Sequence, residues 1–82
     1  GAVDLFKAGR IGEARKLMCQ SVRPEEMEDV FRWCYDNLEL WGDTDEKQDQ
    51  AILAIRQGLV NHSFVADPEI NLSATLVELT QL

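Results

Sequence analysis

The segment Leu59–Leu82, LVNHSFVADPEINLSATLVELTQL, most constrains the fold because it places a sharp break between two apolar helices. Asp67 can accept hydrogen bonds from the free N–H groups of the turn that follows it. Pro68 suits the first helical position, where no donor is needed. Glu69 then adds negative charge at the positive end of the helix dipole. These residues predict a terminal helix that begins at Pro68 and has Asp67 as its N-cap.

The predicted terminal helix carries two apolar rows. One row is Ile70, Ala74 and Val77, and the other is Leu72, Leu76 and Leu79. Two rows on one short helix indicate burial on more than one side. One row is enough to hold the helix on its own domain, so we expect the other to face a partner. The sequence does not decide between the rows, and the predicted interface residues come from both: Leu72, Leu76, Val77 and Leu79.

Four further helices are predicted upstream, and no strand, which gives an all-α bundle of about five helices. The first covers roughly Ala2–Ala8, carries Val3 and Phe6, and ends at Gly9, a residue that favours a left-handed helix stop. The second covers roughly Ile11–Ser21. Its predicted buried face consists of Ile11, Ala14, Leu17 and Met18.

The third helix has the strongest periodic signal in the chain. Pro24 opens it, since proline tolerates the first turn, and Gly42 ends it. Its buried stripe follows the three-and-four spacing of an amphipathic helix and consists of Met27, Val30, Phe31, Cys34, Leu38 and Trp41. Trp33 and Tyr35 fall off this stripe, and aromatic residues off a core face are enriched at interfaces. Trp33 is therefore either a subunit contact or part of a second core face.

The fourth helix is predicted to begin with a capping box, in which Asp43 is the N-cap and Glu46 reaches back to it. We expect one buried face of Ile52, Ile55 and Leu59 and a second of Leu53, Val60 and Phe64. Three small residues, Ala51, Ala54 and Gly58, would let a neighbouring helix approach closely.

Charge is unevenly spread along the 82 residues, which carry a net charge of −7. The range 1–24 holds five basic and two acidic residues, whereas the range 25–49 holds ten acidic and two basic ones. Binding to a phosphate backbone depends on releasing counterions to Lys and Arg. An acidic middle therefore argues against direct contact with nucleic acid and indicates a solvated face.

Several chemical functions are disfavoured by residue type and spacing. One His and two widely spaced Cys, Cys19 and Cys34, do not supply the four ligands of a zinc site. The Gly9–Gly12 segment matches the G-x-x-G of an RNA-binding loop, but that loop needs a flanking sheet. No Gly-rich phosphate loop with a following Lys is present. We expect neither enzymatic activity nor a cofactor in this chain, and no apolar run is long enough to cross a membrane.

The segment His62–Leu82 resembles the C-terminal end of phage-type sliding-clamp loader small subunits, the replication-factor-C-like AAA+ ATPases. The resemblance rests on the pattern F-V-A-D-P-E-I-N-L-x-A-x-x-V-E-L. Upstream, Ala8–Leu17 (AGRIGEARKL) and Val30–Leu40 (VFRWCYDNLEL) stand where that family has its preceding collar helices. The resemblance covers nearly the whole chain but only the C-terminal domain of the family.

The resemblance implies that residues 1–82 are a collar domain, through which clamp loader subunits join into a ring during DNA replication. It implies that ATP and Mg²⁺ are bound by AAA+ modules absent from this chain. It also implies that the sliding clamp and primer–template DNA are reached only through those modules, in the cytoplasm of a phage-infected bacterium. Because the chain begins with Gly1 rather than Met, we expect a domain of a longer protein. The alternative is a free-standing acidic helical adaptor, similar to a tetratricopeptide module, that binds a peptide or protein partner.

Overall fold

The structure, a computed structural model, describes residues 2–82, without the side chains of Ala2, Val3, Ser21 and Pro24. Within residues 2–82 the chain is all-α, as predicted, with five α-helices and no strand. The helices are Ala2–Lys7 (α1), Ile11–Ser21 (α2), Met27–Asp36 (α3), Asp45–His62 (α4) and Pro68–Thr80 (α5), with 3₁₀ turns at Pro24–Glu26 and Leu38–Leu40. The predicted inward position of Val3 lies outside the described side chains.

The turn between α1 and α2 is built on the left-handed conformation of Gly9, whose φ is +79°. The N–H of Gly9 donates to the Phe6 carbonyl at 3.1 Å, and the N–H of Arg10 donates to the Leu5 carbonyl at 2.9 Å. These two bonds form a Schellman motif, which satisfies carbonyls that the end of α1 leaves free. Gly9 and Arg10 therefore form a helix–helix turn, and Ile11 and Gly12 already belong to α2.

The third helix is shorter than predicted and ends at Asp36. The side-chain amide of Asn37 donates to the Trp33 carbonyl at 2.9 Å, and the indole N–H of Trp41 donates to the Cys34 carbonyl at 3.0 Å. A continuing α-helix would use these carbonyls for backbone bonds from residues 37 and 38. Side chains take their place, and the chain turns back so that Trp41 is buried.

The N-cap of α4 is Thr44, and the prediction of Asp43 is wrong by one residue. The Thr44 Oγ1 accepts a hydrogen bond from the Lys47 N–H at 3.2 Å, whereas Asp43 is exposed before the helix. Asp and Thr are both favourable N-cap residues, so the sequence is compatible with a helix that begins after Asp43 or after Thr44. The Gln48 side chain donates to the Gly42 carbonyl at 3.0 Å, which holds the entering segment in the observed register.

The core-facing line of α4 consists of its small residues and one isoleucine: Ala51, Ile55 and Gly58 are buried. The predicted second buried face is wrong, because Leu53, Val60 and Phe64 are exposed. Leu53 and Val60 lie on the opposite side of the helix from Ala51 and Gly58, and α4 has its neighbours on one side only. Leu59 of the first predicted face and Leu17 of α2 are also exposed, in contrast to the prediction.

Gly58 marks the place where α3, α4 and α5 come closest together. A methyl group at this position would lie 2.5 Å from Phe31 Cε1 and 2.5 Å from Thr75 Oγ1. Phe31 is fully buried and Thr75 nearly so. The absence of a side chain at Gly58 therefore lets α3 and α5 both pack against α4 at the same level.

An aromatic cluster joins α1 to the end of α3. The Phe6 and Trp41 rings stand edge to face with centroids 5.2 Å apart, and Trp33 lies 6.1 Å from Phe6 and 6.3 Å from Trp41. Such arrangements are favourable for aromatic pairs. Trp33 is partly buried in this cluster, which favours the second core face of the two roles weighed for it.

Candidate protein interface

The two apolar rows of α5 have different surroundings. Leu72, Leu76 and Leu79 are completely buried in the core of their own chain. They therefore cannot meet a second subunit directly, and the prediction that they are interface residues is wrong. We call the other row, Ile70, Ala74 and Val77, the outer row. All three are exposed, with Ile70 at 67% and Val77 at 39% of their full surface.

Hydrogen bonds made by the first two turns of α5 fix the rotation of this helix about its axis. Asp67 caps the helix as predicted, since its Oδ1 accepts hydrogen bonds from the Glu69 and Ile70 N–H groups at 3.0 and 3.2 Å. Pro68 stands at the start of the helix, also as predicted. The Asn71 amide donates to the Gly58 carbonyl of α4 at 3.0 Å. This bond holds one side of α5 against α4, so the outer row faces away from the core.

A groove of about 470 Å³ lies between α3 and α4. Its accessible apolar atoms come from Tyr35 of α3 and from Ile52 and Leu59 of α4, above the buried Phe31 and Ile55. Leu59 is 41% exposed, close to the value for Val77. We call this feature the α3–α4 groove. Tyr35 and Leu59 each keep about two fifths of their surface exposed here, so the groove offers a small apolar surface to another molecule.

Four charged residues line the α3–α4 groove: Glu28, Asp29, Arg32 and Arg56. The Arg32 guanidinium lies 3.2 Å from an Asp36 carboxylate oxygen and 5.2 Å from the centre of the Tyr35 ring. Arg56 makes no ion pair with any side chain that the structure describes. Its guanidinium is therefore available to a carboxylate brought by a partner.

Three nucleophilic or titratable side chains, those of Cys19, Cys34 and His62, take part in contacts between the described helices. Burial raises the pKa of the Cys34 thiol to about 12, so this thiol stays protonated and unreactive near neutral pH. Cys19 Sγ lies 3.2 Å from Ser73 Oγ and joins α2 to α5. His62 packs against the Phe31 ring with centroids 6.0 Å apart, and its Nδ1 is buried without a hydrogen-bond partner among the described residues. The contacts of Cys19 and of the His62 ring join helices to one another.

In the part of the chain that the structure describes, no three His, Cys, Asp or Glu side chains are grouped so that they could hold a metal ion. None of the five helices has both the length and the apolar character that a membrane crossing requires.

Comparison with known proteins leaves the family open. No family model, curated protein or solved structure matches this chain.

Sequence reasoning missed the α3–α4 groove as a site. Tyr35 falls off the buried stripe of α3, and Arg56 is the one Lys or Arg after Lys47. Both features can be recognised in the sequence. What the sequence did not reveal is that Leu59, assigned to a buried face, stays at the edge of the groove. Its exposure depends on which side of α4 meets α3 and α5, and this is a tertiary contact.

Proposed function

We propose that this chain is the collar domain of a sliding-clamp loader small subunit, which joins subunits into an assembly during DNA replication. The outer row of α5 is the observation that carries the proposal. It presents three apolar side chains to solvent, and the same helix is already sealed to its own domain by three buried leucines. An apolar surface with no use inside the chain fits an interface that is covered in an assembly.

The resemblance of Phe64–Leu79 to the C-terminal end of clamp loader small subunits supports the same proposal. In this proposal the chain is not itself an enzyme. ATP and Mg²⁺ are bound by AAA+ modules elsewhere in the parent protein, and the clamp and primer–template DNA are contacted through those modules. The collar holds the subunits together while they act.

The coding sequence upstream of Gly1 tests this function directly. We expect it to encode an AAA+ ATPase module with a phosphate-binding loop that contains G-x-x-x-x-G-K. An upstream sequence that lacks such a module, or a start codon directly before Gly1, would contradict the collar function.

A DNA titration tests the proposal that the acidic surface of the domain faces solvent and does not contact DNA. With a net charge of −7, the 82-residue chain should not bind primer–template DNA at micromolar concentration in moderate salt, because like charges repel. Fluorescence anisotropy of labelled DNA measures this, with a basic DNA-binding domain of similar size as positive control. Micromolar or tighter binding would show that the domain contacts DNA itself.

The second candidate function is an adaptor that binds a helical peptide from an unrelated protein. The α3–α4 groove favours it, because an apolar floor with charged residues at its edge is a common way to hold one face of an amphipathic helix. An adaptor of this kind would not need the outer row of α5, and Val77→Asp would leave its peptide binding unchanged.

A further inference from the structure

We infer that the outer row of α5 in one copy of the chain docks into the α3–α4 groove of a second copy. The inference rests on the proposed function and specifies how two collar domains meet. The row and the groove are different surfaces of the same copy, so a single contact is head-to-tail and leaves one row and one groove free. Each copy then offers one row and one groove, and repetition of the contact gives a ring or a filament.

The two surfaces agree in length. Ile70 and Val77 are seven residues apart, which corresponds to about 10 Å along a helix. The α3 side of the groove runs from Glu28 to Tyr35, also seven residues, and therefore has a matching length. The alanine in the middle of the row, Ala74, lets the helix lie close to the groove floor.

The two surfaces also agree in charge. The helix α5 carries two acidic residues, Glu69 and Glu78, and no basic residue. Glu78 directly follows Val77 of the outer row and makes no ion pair with a described side chain. The groove offers Arg56, which is likewise without an ion pair in the described part of the chain, and Arg32. A carboxylate beside an arginine is a favourable contact at the edge of an interface.

Charge also argues against a symmetric contact of two α5 helices. Such a contact would bring two sets of acidic residues together with no basic residue from either helix, and like charges across an interface are unfavourable. Glu28 and Asp29 stand one helical turn before Arg32 on α3 and would repel an acid at their end of the groove. The charges therefore favour one direction for the incoming helix.

A complementation experiment with the 82-residue chain tests the inference. Leu59→Asp damages the groove but leaves the outer row intact, whereas Val77→Asp does the opposite. Each variant alone should associate at least about tenfold more weakly than the wild type, because a charge replaces an apolar contact. An equimolar mixture should recover association and stop at a heterodimer, since only one intact row and one intact groove meet. Sedimentation velocity measures both results.

Leu53→Asp is the matched control. Leu53 is an exposed leucine of α4, like Leu59, but it does not line the groove, so this variant should associate like the wild type. Circular dichroism of all three variants verifies that they are folded. Leu59 and Val77 are both exposed by about two fifths, so neither substitution buries a charge in the core.

A charge exchange tests the pairing of Arg56 with Glu78. Arg56→Glu and Glu78→Arg should each weaken association about threefold, the usual size for an exposed ion pair. A chain with both changes should return to within about twofold of the wild type, because the pair is restored in reverse. If the chain with both changes associates no more strongly than the more weakly associating of the two single variants, the pairing of Arg56 with Glu78 is contradicted.

The outcomes separate the inference from the proposed function. If Val77→Asp weakens association and Leu59→Asp does not, or if the mixture fails to recover it, the head-to-tail contact is wrong while the outer row remains an interface. If the wild type is monomeric at millimolar concentration, both the contact and the support for a collar are lost. The adaptor function then becomes the better explanation of the groove.

Discussion

The inner and outer faces of α5 have similar apolar composition but different neighbours. On the inner face Leu72 and Leu76 have no exposed surface, and on the outer face Ile70 keeps about two thirds of its own. The inner face meets α4 at Gly58, where the missing side chain lets the two helices approach closely. The outer face is left largely uncovered by the described part of the chain. Apolar character therefore does not by itself bury a side chain; an adjacent surface of matching shape is also required.

In α4, too, apolar character alone does not decide burial, and here the small residues are buried while the large ones are exposed. Its buried line contains Ala51 and Gly58, whereas the larger Leu53 and Val60 are exposed. Small side chains reach the centre of the bundle because they allow neighbouring helices to come close. The largest apolar residues of a helix are thus an unsafe guide to its core face when small residues share the periodic pattern.

Leu76→Asp should have the largest effect, because it breaks the inner face of α5. The substitution buries an unpaired charge and removes a fully buried side chain, which should cost about 4 kcal/mol or more of folding free energy. Val77→Asp, the next residue, is on the outer face and should cost less than about 1 kcal/mol. Thermal melts followed by circular dichroism compare the two. If the two variants have equal melting temperatures, the difference in burial between the inner and outer faces of α5 is contradicted.

Gly58→Ala should have the next largest effect, because the added methyl group meets Phe31 and Thr75 at 2.5 Å. Overpacking of this kind costs about 1 to 3 kcal/mol and should exceed the gain in helix propensity. Gly12→Ala is the matched control, since no described atom outside the adjacent residues and the backbone of its own helix lies within 4 Å of the added group. The control should be neutral or stabilising by up to about 1 kcal/mol. Urea unfolding measures both; a stabilising Gly58→Ala would contradict the close approach at this point.

Thr44→Ala should have the smallest effect of the three substitutions on the free energy of unfolding, and it tests where α4 begins. Removal of the cap hydroxyl leaves the Lys47 N–H without its partner and should cost about 1 kcal/mol. Asp43→Ala should change the free energy of unfolding by less than about half of that, because this side chain accepts no helix N–H. If urea unfolding ranks the two variants in the opposite order, the helix begins one residue earlier than the structure places it.

Much of the helical architecture could be predicted, because its signals are local. Asp67 and Pro68 start α5, and Gly9 ends α1, through bonds that span only a few residues. The buried stripe of Met27, Val30, Phe31 and Cys34 follows directly from helical periodicity. The predictions failed where a local signal had a neighbouring competitor, as at Asp43 and Thr44, or where side chains ended a helix early, as at Asn37.

The candidate interface could be predicted only in part. The sequence by itself determined that α5 exists, where it starts, and that it carries two apolar rows, because caps and periodicity act within a single helix. Only the tertiary structure decided which row faces outward and that a groove opens between α3 and α4. That choice depends on contacts between residues distant in the chain, such as Asn71 with the Gly58 carbonyl and Thr75 beside Gly58. Such contacts set the rotation of one helix against another, and the pattern of one helix alone does not contain that information.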